Sequence, residues 1–370
     1  MSGRAWSMCR RAFTASSAAF FVVLFTQPYL WAQDDQDAAQ TPGVRLMQVR
    51  PEDKSARYDK STYRIQILGL NTPKANRHSL SPSGALSPSG APEMLPSVPT
   101  LGPQVQSFDS DDSDEIPTIN PPGFYPADIT NPGNSPVVTS AESHPIYVNC
   151  LPGCWGQPAA FLQRLGRSGF LHILDQYVGS TANRRYKLGQ GGQVSYPVFS
   201  PLGQPDVLNI VHAAASFLGN KPYKDIFHVF LPKGTDVCLN EHMDCYSPDN
   251  FPTFVFCAYH GSVDFSDIGH VLFTVEPYQN VPGCSVAQPT PNGALIDSTA
   301  NVLSHELIET ITDPDGTAWF ARNSLAVYGD EVADLCVNPF FQYGKVLVGG
   351  KHYAIQPEYS NKLHGCVVKP

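Results

Sequence analysis

The 370-residue sequence has no basic stripe, and its formal net charge is −9. Nucleic-acid binders neutralise phosphates with clustered Lys and Arg, so nucleic acid is excluded as a partner. Beyond residues 18–25 no apolar run approaches the length of a bilayer span, so the mature form should have no membrane span. No G-x-S-x-G nucleophile elbow occurs, and "GRSG" at 166–169 lacks its spacing, which removes a lipase-like reading. The glycine-rich "LGQGGQ" at 188–193 follows no clear strand and lacks the P-loop pattern, so it reads as a loop. The acidic "DSDDSDE" at 109–115 lacks the fixed glycine and spaced ligands of an EF-hand and reads as a solvated linker. Cys150 and Cys154 have metal-like spacing, but no second close pair follows to complete a zinc ribbon.

What is present begins with export. Arg4, Arg10 and Arg11 precede a short apolar run at 18–25, and Ala32 stands just ahead of an acidic stretch. That pattern predicts a signal peptide over residues 1–32. "CRRAF" at 9–13 also resembles a twin-arginine signal, which leaves the export route open. The mature chain is therefore expected to be secreted, either periplasmic or extracellular. Cys9 would leave with the signal, and eight cysteines remain: Cys150, Cys154, Cys238, Cys245, Cys257, Cys284, Cys336 and Cys366. An even number in an exported chain predicts disulfides, though the sequence does not say which pairs form.

Residues 33–142 read as a disordered tether rich in Pro, Ser and Asp. The unit LSPSGA repeats at Leu80 and Leu86, and apolar residues are too sparse to offset the entropy of ordering. One island, "YRIQILGL" at 63–70, alternates partly and reads as a lone strand. Composition changes near Ser143, and residues 143–370 read as one domain. "PIYVNCL", "DIFHVFLP", "TFVFCAYHG" and "HVLFTVEPY" read as strands. Residues 159–177 read as a helix broken at Gly166 or Gly169. "PDVLNIVHAAASFLG" reads as a helix opened by Pro205 and ended by Gly219. "KVLVGGKHYAIQPEY" reads as a hairpin turned at Gly349-Gly350. Strands and helices mix without strict alternation, which predicts an α+β fold with a mixed sheet.

The chemistry concentrates in "NVLSHELIETITDPDGTAW" at 301–319. On a helical wheel Glu309 lies about 40° from His305, Asp313 about 80° and Glu306 about 100°. Ala300, Leu303, Leu307 and Ile311 fall in the opposite arc, and with Ile308 on its flank they would pack on the sheet. Ser298 or Thr299 could cap the start, and Asp313-Pro314-Asp315-Gly316 should stop the helix. His305 and Glu309, one turn apart, could hold a single divalent cation, with Glu306 placed as general base for a metal-activated water. This is the logic of H-E-x-x-H with the second histidine replaced. By analogy with glutamate-ligand zinc hydrolases, Glu331 in "GDEVADLC" is the first choice for the third metal ligand. Asp334 then steadies His305, and Asp313 is the alternative ligand, with His352 and His364 further outside. Zinc is the expected metal, although a His-Glu-Glu set also admits manganese or calcium.

The segments "SHELIETITDP…AWF" and "EVADLC", together with "FCAYHGS" and Cys366, resemble the Exordium-like, phosphate-induced protein family of plants and its bacterial relatives. The resemblance implies a secreted or wall-associated protein whose zincin-like mixed sheet packs on an HExxE active-site helix. It carries over His305, Glu306, Glu309, Glu331 and Asp334 by motif position. Two further histidines, His260 and His270, lie at strand ends, where each could steady a substrate oxyanion or simply bond at a sheet edge.

The leading expectation is a secreted metal-dependent hydrolase acting on peptides. The alternative is a non-catalytic binding or signalling module at the cell surface with a structural metal. A third reading is a carbohydrate-active protein using Glu306 and Glu331 as paired carboxylates. The partner is accordingly a peptide or a cell-surface polymer, and the oligomeric state is not readable.

Overall fold

The alternating runs form strands, and the periodic runs form helices that cover both faces of one sheet. A computed structural model describes residues 44–48, 64–69, 128–179, 184–197, 201–240, 243–321, 331–337 and 345–370. The signal-peptide region, the LSPSGA repeat and the acidic run at 109–115 lie outside the described residues.

The main sheet takes β1 (Arg45–Gln48), β2 (Arg64–Gly69), β3 (Ala141–Val148), β4 (Tyr186–Leu188), β5 (Gly192–Ser195) and β6 (Asp225–Phe230). A small hairpin of β7 (Val237–Asn240) and β8 (Asp244–Tyr246) follows. The chain then returns to the main sheet with β9 (Phe256–Phe265) and β10 (Gly269–Glu276). Two more hairpins close the chain: β11 (Lys345–Val348) with β12 (Lys351–Ala354), and β13 (Glu358–Ser360) with β14 (Gly365–Val367). The main order is β1-β5-β3-β6-β10-β9-β2, with β4 pairing β3 just ahead of β5. Neighbours are parallel from β1 to β10, whereas β9 and β2 are antiparallel to theirs. The α+β class with a mixed sheet is thus as expected.

Two stretches that the sequence assigns to the tether, β1 and β2, pair with this sheet. β2 covers the outer side of β9 and leaves that strand with no open edge along the pairing. The closeness depends on Gly261, where an added Cβ would lie 2.2 Å from the Arg64 carbonyl oxygen.

Period-two alternation divides the core. Ile146, Val148, Phe227, Val229, Phe273 and Val275 pack on one side with α3 (Gln204–Leu218). Tyr147, Ile226, Phe230 and Leu272 face the other side, with α1 (Pro158–Leu165), α2 (Asp175–Val178) and α4 (Ala294–Thr312). α1 ends at Leu165 with Gly166 as its cap, and a 3-10 turn over Gly169–Leu174 carries the chain into α2. The break therefore falls where the glycines predict it. Pro205 opens α3 and Gly219, at φ 90°, closes it. Trp155 is fully buried, donating from Nε1 to the Leu231 carbonyl, and is a core residue.

The eight cysteines among the described residues all pair: Cys150–Cys154, Cys238–Cys245, Cys257–Cys284 and Cys336–Cys366. No helix among the described residues is long and apolar enough to cross a membrane. The Cys336–Cys366 bond spans 30 residues and ties a 3-10 turn, Asp334–Cys336, to β14. A loop of that length contributes about 3–4 kcal/mol in the chain-entropy treatment. The double replacement Cys336→Ser/Cys366→Ser should lower the unfolding free energy by about that amount in urea titration. An unchanged midpoint would show that the bond adds nothing to the folded state.

Candidate functional site

α4 and its C-cap carry polar residues at every fourth position: Asp297, Asn301, His305, Glu309 and the capping Asp313. Four-residue spacing keeps them on one stripe. Such a stripe would ordinarily face water, yet His305 is 0 % and Glu309 1 % exposed, because other segments cover it. Asp297 Oδ1 accepts from Ala354 N, Asn301 Oδ1 from Gln356 N, and Glu309 Oε1 from Asp334 N. A solvated surface helix is thereby excluded. The helix begins at Ala294 behind Gly293, one turn earlier than a Ser298 or Thr299 cap requires. Ser298 Oγ instead accepts from Val286 N. The helix stops at Thr312, ahead of Pro314, as the turn chemistry predicts.

His305 is held in a defined tautomer. Gln356 Nε2 donates to the Ala333 carbonyl, which turns its Oε1 toward His305 Nδ1, 3.2 Å away. Nδ1 must then donate, which leaves Nε2 to carry a lone pair or, in the protonated ring, a second proton. Nε2 lies 3.1 Å from Glu309 Oε2 and 3.5 Å from Asp334 Oδ1. Neither contact is aligned as a hydrogen bond, and Nε2 has no such partner among the described residues.

His260, from β9, reaches the same carboxylates from the sheet. Its Nε2 donates to the Asp313 carbonyl at 3.4 Å and lies 3.7 Å from Glu331 Oε1. Its Nδ1 lies 3.2 Å from Glu306 Oε2 and 3.7 Å from Glu309 Oε2. Two sets of metal-ligand atoms result, each with all atoms within 4.8 Å of one another: His305, Glu309 and Asp334, and His260, Glu309 and Glu331. Glu306 Oε1, Glu331 Oε1 and Asp334 Oδ1 are also buried without a hydrogen-bond partner among the described residues.

Burial sets the electrostatics. It lifts Glu306 and Glu331 well above the ordinary carboxylate value, with Glu309 and Asp334 adding to it and His305 opposing it at Glu306. Burial and then Glu309 push Asp334 up to about 6. Burial disfavours a charged His305, but Glu309, Asp334 and Glu306 outweigh it and raise its pKa well above the imidazole value. His260, buried beside His305, is lowered to about 3 and stays neutral.

The sequence-selected residues sort as follows. His305, Glu306 and Glu309 lie together, and Glu331 reaches Glu309 but shares its set with His260 rather than His305. Asp334, chosen as a supporting residue, is the one that stands with His305 and Glu309. Asp313 belongs to neither ligand set: its Oδ1 accepts from Thr317 N and Ala318 N and caps the turn. His270 lies outside the cluster, bonded through Nδ1 to Asp264 and paired through Nε2 with Asp315. His352 is exposed, and His364 bonds Asp128 at the surface.

Sequence reading missed Gln356, Glu358, Glu276 and His228. His228 Nδ1 meets Thr274 Oγ1, which donates to Glu276 Oε1, forming a polar floor on the sheet beneath α4. Burial pushes Glu276 up to about 8, against the Thr274 hydrogen bond and His305, and lifts Glu358 well above the carboxylate range. The signal was available in "HVLFTVE", where Thr274 and Glu276 interrupt an apolar strand on one face.

Comparison of the chain with family models, with curated proteins and with solved structures gives no match. The site therefore rests on its own geometry.

Without metal these groups hold protons in the folded state. Above about pH 6.5, unfolded carboxyls are ionised and unfolded imidazoles are neutral. Folded Glu276 keeps its proton up to about pH 8, and His305, Glu306, Glu331 and Glu358 also titrate above their unfolded values. The folded chain then binds more protons than the unfolded one, so stability falls as pH rises through this window. Chelator-treated protein should show a falling urea midpoint from about pH 6.5 to about 8, with added Zn²⁺ or Mn²⁺ raising the midpoint more at the alkaline end. A midpoint indifferent to both pH and metal counts against this reading.

Proposed function

We propose that this chain is a secreted metal-dependent hydrolase that cleaves peptides, with Glu306 as its general base. The observation that carries the proposal is the fully buried His305 Nε2, turned by the Gln356 contact at Nδ1 toward Glu309 and Asp334 and making no aligned hydrogen bond there. A lone pair facing two carboxylates in a dry site needs a cation or a proton between them. The donors are imidazole and carboxylate, which suit zinc and also take manganese. His305, Glu309 and Asp334 would hold the cation. When bound, it supplies Lewis acidity and lowers the pKa of water toward neutrality.

The remaining steps belong to the chain. Glu306 Oε2 lies against His260 Nδ1, which orients the carboxyl and leaves Oε1 without a partner. That oxygen would take the proton of the attacking water and pass it to the leaving amine. A raised pKa suits a base that must collect and release a proton near neutral pH. A mixed sheet with α4 packed across it supports the zincin-like reading of the core. The four disulfides support an oxidising compartment, hence export, and with it the Exordium-like reading.

The burial of the cluster also favours a second reading, an extracellular binding module with a structural metal. Glu306→Gln separates the two. On the catalytic reading it retains metal and loses at least about 100-fold of peptidase activity. Unchanged function with retained metal selects the binding module, and a folded wild type without metal sinks both.

A further inference from the structure

The two ligand sets share Glu309, but their imidazoles fall in different sets. Two ligands of one first-row cation, each about 2.0–2.2 Å from it, can stand no more than about 4.4 Å apart. Among the described residues no set joins the two imidazoles, so one cation would take the His305 set or the His260 set. Their lone pairs reach Glu309 Oε2 from separate directions, His305 Nε2 at 3.1 Å from the helix and His260 Nδ1 at 3.7 Å from the sheet. The unpartnered buried atoms divide the same way, with Asp334 Oδ1 beside His305 and Glu331 Oε1 beside His260.

Charge leads to the same place. Glu306, Glu309, Glu331 and Asp334 converge here with 5 % exposure or less. One dication offsets two of these carboxylates, whereas two dications offset all four.

We infer that the cluster is a dinuclear site, with Glu309 bridging one cation on His305 and Asp334 and a second on His260 and Glu331. The inference rests on the metal-binding reading above and goes beyond it in stoichiometry and in the role of His260, whose Nδ1 would exchange its contact with Glu306 Oε2 for the second cation. It makes the site one that grips an oxygen-rich group between two ions, in the manner of two-metal hydrolases with ions about 3.5–4 Å apart.

The test is metal content per chain in the full-length protein, reconstituted with Mn²⁺ or Zn²⁺ and desalted. Wild type should hold two equivalents. His260→Gln and Glu331→Gln should each retain one, Asp334→Asn should retain one, and Glu309→Gln should hold less than one. Mn²⁺-loaded wild type should give a spin-coupled paramagnetic resonance spectrum, which needs no variant to fold. One equivalent and an uncoupled spectrum overturn the second site and leave the hydrolase reading standing. No bound metal overturns both.

Discussion

A buried imidazole with one nitrogen tied to an amide must present its other nitrogen to whatever lies opposite. Here Gln356 ties His305 Nδ1, and what lies opposite is Glu309 and Asp334. Gln356 is itself fixed from two sides, through its backbone N to Asn301 Oδ1 and through its side chain to the Ala333 carbonyl. One glutamine thus joins α4, the turn before Asp334 and the segment between β12 and β13. Removing it would free the tautomer and loosen three segments together. Placing carboxylates in a dry interior costs several kcal/mol each unless a counter-charge or proton is present. The arrangement is tolerable only because its occupants, protons or cations, are built into the folded state.

The surrounding framework limits how far these groups can separate. Cys336–Cys366 anchors the turn that carries Asp334, and Cys257–Cys284 anchors the start of β9, three residues before His260. β2 covers the outer edge of β9 and places Gln66 directly opposite His260. On the sheet face beneath α4, a row of Gln66, His260, Thr274 and His228 runs across four adjacent strands by register. The helix therefore rests on a polar strip within an otherwise apolar sheet. The strip meets α4 through His260, at Glu306 and Glu309, while the rest of the polar stripe is met by the backbone at 354 and 356.

Much of this was legible in the sequence. The strands "DIFHVF" and "HVLFTVE", the helix breaks at Gly166 and Gly219 and the Gly349-Gly350 hairpin follow from local pattern, because period and turn residues act over short range. His305, Glu306 and Glu309 were legible for the same reason, since helical spacing fixes their relative direction. The stripe could have been followed back to Asn301 and Asp297, and stopping at His305 hid its length. Gln356 and Glu358 were not legible as members, and His260 was legible only as a strand-end histidine beside a substrate, although it stands in the middle of β9. They arrive from a strand and from the C-terminal segment, 45 or more positions away along the chain, and only tertiary pairing brings them in. Glu331 was chosen over Asp334 by motif position, whereas the turn over 331–336 brings Asp334 to His305 and Glu309, and Glu331 to His260 and Glu309. The tether was read too broadly because strand pairing stabilised two short segments whose composition alone offers little.

Whether such a site does chemistry turns on Glu306. A closed structural metal site needs enough donors to fill a coordination shell, and its surplus acids only add burial cost. Asp334 and Glu309 with His305 already supply one set, and Glu331 with His260 supplies another that uses Glu309 again. Glu306 belongs to neither set. It is fully buried, touches His260 through one oxygen and leaves the other unpartnered. A carboxyl kept under those conditions weakens the fold relative to a glutamine or leucine of similar size, and a structural site gains nothing in return. A hydrolytic site does gain, because a carboxyl desolvated to a raised pKa beside the reacting water is the form a general base takes. The same burial that makes the cluster look structural is thus, at this one residue, the argument for catalysis.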